Sequence, residues 1–224
     1  MNAVIYYSNT GESYRIAKYL SDKIGYELLD IHRISDIQFE NIFLVFPVHY
    51  QNIPKEIRPL IKNIKAQKAV VVATYGKKSF GNVLNDVKKY LTAKIVGGAY
   101  VPTKHTYLVD DSSFNDFEKL NSLLERFNSE KEAFFPKGKK NIFADFMPIK
   151  RHQMSVSIIK NDKCTNCGHC NEVCEHIQNG ITNKKCNRCL KCVQSCPKQA
   201  LEFRLSNTLN KYLHKNKKDQ LIIY

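Results

Sequence analysis

The chain has 224 residues, 43% hydrophobic and 25% charged, with a formal net charge of +14. That length gives one ordinary domain with its own core and a smaller second region, and no apolar run approaches the roughly 18 residues a membrane-spanning helix needs. No signal-peptide pattern stands at the N-terminus, so a reducing, cytoplasmic setting is expected and a disulfide scaffold for the eight cysteines is disfavoured. The charge is uneven: residues 136–224 hold 17 Lys and Arg against 6 Asp and Glu, or +11, whereas residues 1–135 hold 18 against 15, or +3.

Along the first 135 residues, strand-like and helix-like stretches alternate. Val4 to Ser8 is a short apolar run, Ser13 to Ile24 carries apolar residues at helical spacing, and Tyr26 to Ile31 is apolar again. Asn41 to Val48, Lys68 to Thr74 and Lys94 to Val101 are further buried-strand candidates, with helices expected near Lys55 to Ile64, Phe80 to Leu91 and Asn115 to Phe134. Several of the runs are apolar on both faces, as strands covered on both sides must be. The fold class is therefore α/β, a doubly wound sheet of five parallel strands.

Such sheets bind ligands at the carboxyl ends of their strands, where the strand order reverses, so the loops after strands one, three and four are the ones to inspect. The first, Ser8-Asn9-Thr10-Gly11-Glu12-Ser13, opens the first helix and is rich in hydroxyls and backbone N–H groups. The helix dipole and the free amides suit a dianionic phosphate there. The loop lacks the lysine of a Walker motif and the glycines of a dinucleotide site. It resembles the T/S-x-T-G-x-T phosphate loop of the flavodoxins, with Ser13 in place of the last Thr. That resemblance implies a flavodoxin-like fold and bound FMN. By the same resemblance, Pro47, Val48, His49, Tyr50 and Asn52 of the second loop would lie along the flavin ring. Thr74, Tyr75, Gly76, Lys77, Phe80, Gly81 and Asn82 of the third would cover its other side, with Tyr50 and Tyr75 stacked on the ring. Gly76 and Gly81 would allow close approach of the backbone.

All the cysteines lie in one short segment, as Cys164, Cys167, Cys170, Cys174 and then Cys186, Cys189, Cys192, Cys196. This is C-x2-C-x2-C-x3-C twice over. Zinc sites use a C-x2-C knuckle and a second pair at a distance, so the spacing favours iron–sulfur clusters over zinc. A zinc-containing nucleic-acid-binding module remains the rival, given the basic charge. The segment from about Ile158 to Phe203 resembles the two-cluster bacterial ferredoxins, down to Cys196-Pro197; Glu175 departs from the proline usual after the fourth cysteine. The resemblance implies two [4Fe-4S] clusters with crossed ligands, Cys164, Cys167, Cys170 and Cys196 on one and Cys186, Cys189, Cys192 and Cys174 on the other. His169 and His176 stand beside these cysteines and are read as ordinary loop histidines.

The expected organisation is a flavodoxin-like domain over 1–138, a linker packing between domains over 139–156, a small α+β ferredoxin domain over 157–205 and a basic tail over 206–224, either helical or frayed. In this order the chain is similar to the clostridial flavodoxin–ferredoxin fusion proteins, which implies electron transfer between two clusters, FMN and an external redox protein, ferredoxin-like or acidic. An FMN-dependent reductase of a small molecule, fed by the clusters, is the alternative. Neither direct use of a nicotinamide cofactor nor nucleic-acid binding is expected, and the sequence leaves oligomeric state open.

Overall fold

The computed structural model describes residues 1–34, 37–138, 148–215 and 218–224. The chain divides into two compact units, Met1–Ala144 together with Lys218–Tyr224, and Asp145–Lys217. Among the described residues no helix is long and apolar enough to cross a membrane.

In the first unit, strands β1 (Ala3–Tyr6), β2 (Glu27–Asp30), β3 (Gln38–Pro47), β4 (Lys65–Tyr75) and β5 (Thr92–Pro102) are parallel neighbours in the order β5-β4-β3-β1-β2. The order reverses between β1 and β3, so the carboxyl ends of those strands form the switch point. This is the flavodoxin-like doubly wound arrangement. Alternation sorts the apolar side chains onto two faces: Phe39, Ile42, Leu44 and Phe46 of β3 share one cluster, Phe43 and Val45 the other. Helix α1 (Glu12–Ile24) covers the second face with Ile16, Ala17 and Leu20, and helices α2 (Arg58–Asn63) and α3 (Val83–Asp86) cover the first with Ile61, Val83 and Leu84. Helix α1 begins after Gly11, held at φ +91°, and ends on Gly25 in the left-handed region.

Two features depart from the sequence expectations. The last helix, expected over Asn115 to Phe134, is a 3-10 helix over Phe117–Asn128. Beyond it the chain runs along β5: Ala133 N donates to Ile95 O, Asn85 Nδ2 to Phe135 O, and the Phe135 ring fits against Gly98, where a Cβ would stand 3.0 Å from it. Ala133 and Phe135 pack on the sheet in extended chain while Phe134 between them is exposed, and that packing outweighs the helical spacing. Secondly, the tail does not stay apart. After α7 (Asn207–His214), residues Ile222–Ile223 form β10, a sixth strand antiparallel to β5, pairing Ile222 with Tyr100 and Ile223 with Ala99.

The second unit contains α4 (Pro148–Ser155), β6 (Val156–Lys160), α5 (His169–Val173), β7 (Ile177–Gln178), β8 (Ile181–Thr182), α6 (Lys191–Ser195) and β9 (Leu201–Leu205), followed by α7. Strands β6 and β9 pair antiparallel from Val156–Leu205 to Lys160–Leu201, and Ser206 N donates to Ser155 O. The first and last strands of the unit therefore lie side by side. Of the linker expected over 139–156, residues 139–147 lie outside the described residues.

Candidate functional site

In the first unit the three loops at the switch point are stitched together. Ser8 Oγ accepts the Gly11 N–H at 3.1 Å, closing the first loop on itself, and a Cβ on Gly11 would meet nothing within 4 Å. The loop thus presents open space at the start of α1, where the first amides have no partner within the helix. Ser13 Oγ lies 2.8 Å from Thr74 Oγ1 in a buried hydrogen bond that joins the first loop to the third. Asn9 Nδ2 stands 3.5 Å from His49 Nε2, joining the first to the second. Glu12 turns away from the loop, its carboxylate accepting from Ser113 Oγ and Arg15.

The second loop is a tight turn. His49 and Asn52 exchange backbone hydrogen bonds of 2.9 and 2.8 Å, and the two residues between them, Tyr50 and Gln51, sit at φ +55° and +65°. Successive positive φ values belong to a type I′ turn, which favours Asn-Gly; Tyr and Gln hold that geometry at a cost in backbone strain. Asn52 Nδ2 donates to Tyr50 O, and Gly81 of the third loop, at φ +61°, packs so closely that a Cβ there would stand 2.3 Å from Gln51 O. Burial holds the His49 pKa below its ordinary value, opposed by Glu56, whose carboxylate is 3.9 Å away and accepts from Tyr7 OH at 2.7 Å. A neutral His49 accepting from Asn9 fits this arrangement. Pro47 pairs with Thr74 across β3 and β4, and Val48 N donates to Thr74 O.

The third loop differs from expectation at two residues. Tyr75, expected to stack on the ring, is placed in the core, 2% exposed, because strand alternation puts it on the face of Ala69, Val71 and Ala73. Its ring meets the edge of Phe80, which stacks on Tyr100 at 3.9 Å, and its hydroxyl lies 2.7 Å from Gln220 O. Lys77 is likewise buried, 3% exposed, with its ammonium 3.3 Å from Asp111 and 2.8 Å from both Ser112 O and Oγ. Gly76 lies against the His105 ring, where a Cβ would be 2.5 Å away, and Asn82 Oδ1 accepts from Gly138 N. Thr10, Tyr50 and Asn82 remain partly accessible at the mouth of the loops.

In the second unit none of the eight cysteines is joined in a disulfide. Cys192 is buried, and its pKa is pushed up to about 12, first by burial and then by the charges of Cys189, Cys174 and Cys186. Cys170 and Cys174 of the first run, and Cys196 of the second, pack against the apolar group of Ile177, Cys192 and Leu201. Cys196 is the opposite case: desolvation raises its pKa, but the backbone N–H groups of Ala200, Lys198, Leu201 and Gln199 outweigh this and hold it below the ordinary thiol value. Ala200 N donates to Cys196 Sγ at 3.3 Å and His176 N to Cys174 Sγ at 3.4 Å. Among the described residues no three His, Cys, Asp or Glu side chains are placed to hold a single metal ion.

No protein-family model and no curated protein matches the chain. Among solved structures it is similar to a presumed flavoprotein from Bacteroides uniformis ATCC 8492, at 16% identity and TM-score 0.38 over 46% of this chain and 91% of that one. A second presumed flavoprotein, from Bacteroides eggerthii DSM 20697, matches at 18% identity and TM-score 0.40 over 58% of this chain and 98% of its own. A flavodoxin from the domain Archaea matches at 13% identity and TM-score 0.38 over 58% and 100%.

Two groups of residues at the site were missed in the sequence. The loop after β5 brings His105, Asp111 and Ser112 onto the third loop: His105 N donates to Asp111 Oδ2, and Tyr107 N to His105 Nδ1. Burial lowers the His105 pKa to about 4, with Asp111 opposing and Lys78 reinforcing the shift. The polar run Asp110-Asp111-Ser112-Ser113 past a strand end was the available signal. The other group, Lys218 to Gln220, carries no local signal at all.

Proposed function

We propose that this protein transfers electrons between two [4Fe-4S] clusters, FMN and an external redox partner. The observation that supports the reading is the C-x2-C-x2-C-x3-C spacing that occurs twice, over Cys164–Cys174 and Cys186–Cys196, with Cys170, Cys174 and Cys196 all packed against the apolar group that contains Cys192. Cys186, Cys189 and Cys192 with Cys174 would hold one cluster. Cys164, Cys167 and Cys170 with Cys196 would hold the other cluster. Backbone N–H groups aimed at Cys196 favour its thiolate, as an anionic cluster demands.

In the first unit, Ser8, Asn9, Thr10, Gly11, Glu12 and Ser13 would hold the FMN phosphate by backbone amides and hydroxyls, with the positive end of α1 behind them. The loop from Pro47 to Asn52 and the backbone from Thr74 to Asn82 would bracket the ring, with Tyr50 the aromatic wall on the open side and His49 holding Asn9 in place. When bound, FMN exchanges one or two electrons and the clusters exchange one at a time. The basic second unit, its charge reduced by about 4 when two clusters of net 2− are present, suits an acidic partner.

Anaerobically purified protein should contain about 8 iron and 8 inorganic sulfide per chain and should release FMN, not FAD, on heating. Stoichiometric zinc without sulfide would remove the cluster reading, and FAD or no flavin after reconstitution would remove the FMN reading. Thr10→Leu should empty the flavin site while leaving iron unchanged.

A further inference from the structure

Residues Lys218–Tyr224 follow the cysteine-bearing unit in sequence but belong to the sheet. Tyr224 exchanges two backbone hydrogen bonds with Gly98, at 3.2 and 2.8 Å, and its ring meets Tyr100 and Phe135 edge-on. The same segment grips the loop that leaves β4. The Tyr75 hydroxyl lies 2.9 Å from Lys218 O and 2.7 Å from Gln220 O, and accepts from Gln220 N at 3.3 Å. Lys218 N donates to Lys77 O at 2.7 Å, and Asp219 stands 3.5 Å from the Lys77 ammonium.

We propose that Lys218–Tyr224 is a strap that positions the Thr74–Asn82 loop, with Tyr75 and Lys77 the positioning residues through which it acts. A buried ammonium and a buried phenol are stable only when their polar atoms are paired. Here part of that pairing comes from seven residues at the far end of the chain. Lys77 itself sits at φ +52°, a conformation that a non-glycine residue holds only when its surroundings enforce it. Without the strap, Tyr75 loses its hydroxyl partners and Lys77 loses Lys218 N and Asp219. The loop is then free to leave the geometry in which Thr74 holds Ser13 and Gly81 holds Gln51. The inference rests on reading this loop as one wall of the FMN site.

The experiment uses full-length protein purified anaerobically, with two readouts: hydrogen exchange of residues 74–82 before flavin is added, and FMN affinity by fluorescence titration of the flavin-free protein. Tyr75→Phe keeps the ring against Phe80 and removes the hydroxyl. It should speed exchange in the loop and raise the FMN dissociation constant about tenfold, the equivalent of about 1.4 kcal/mol. Asp219→Asn, at a side chain 59% exposed and so safe for folding, should move both readouts in the same direction by a smaller factor. Iron content should not change in either variant. Unchanged exchange and unchanged affinity in both variants would overturn the strap. If wild-type protein binds no FMN, the flavin reading fails, while the exchange measurement still decides the strap.

Discussion

Phe43, Leu44 and Val45 in the sheet unit are wholly excluded from water and lie within clusters that run across both faces of the sheet, whereas the apolar cluster of the cysteine unit centres on Ile177, Leu201 and Cys192. The first set buries enough apolar surface to offset the chain entropy of its strands and helices. The second buries far less, and on the proposed function the two clusters would supply part of what holds it together. The same 224 residues thus contain one unit that stands on burial and one with a much smaller apolar core. The contrast also orders the effects of perturbing the chain.

The largest effect should follow metal removal. Stripping iron anaerobically with a chelator should abolish amide protection across β6 and β9 while β1, β3 and β4 keep theirs, as read by hydrogen exchange. Equal protection in both units after stripping would erase the contrast. Next comes Phe43→Ala, which opens a cavity between α1, the 3-10 helix and the sheet; its cost should be about 3–5 kcal/mol in urea unfolding of the first unit, with iron content unaffected.

A somewhat smaller effect should come from pH. His105 has its folded pKa lowered to about 4 from an ordinary 6.5, so the unfolded chain binds the proton more readily between those values. Stability from this group is complete above pH 6.5 and is lost as pH falls toward 4, by up to about 3 kcal/mol. Urea titrations of the flavin-free protein across that window should show the loss in wild type and a shallower one in His105→Gln. His49, whose pKa is also lowered, supplies part of the residual slope.

The smallest effect links the two units. Gly138 and Lys218 are separated by 79 residues, but Val156 and Leu205 are paired, so folding of the cysteine unit leaves only 29 residues outside that bracket. Loop-closure entropy then favours docking of the C-terminal strand by about 1 kcal/mol, and iron loading should tighten FMN binding about fourfold. Titrating FMN into iron-free and iron-loaded protein measures the ratio; weaker binding in the loaded form would reverse the argument.

Much of this was readable where the determining contacts are local. Apolar runs such as Asn41 to Val48 announce their strands because that geometry is set within the segment. Tyr75 was misplaced against the ring although its alternation with Ala69, Val71 and Ala73 marks it as a core position; its place at a strand end drew attention from that pattern. The C-terminal Leu221-Ile222-Ile223 could be seen to be apolar, but nothing nearby names its partner, since β5 lies more than a hundred residues earlier. The buried Lys77 looked like a loop lysine for the same reason: Asp111 and Asp219 are distant in sequence and adjacent only in the fold.

Electron transfer within one chain, from the proposed clusters to the proposed flavin, is tested by rapid photoreduction of the loaded protein followed at cluster and flavin wavelengths. The expected result is a cluster-to-FMN step that is first order, unchanged on dilution of the protein and little affected by salt, because connection in one chain and not encounter brings the centres together. A flavin that stays oxidised while the clusters are reduced, or a rate that falls in proportion to protein concentration, would contradict it.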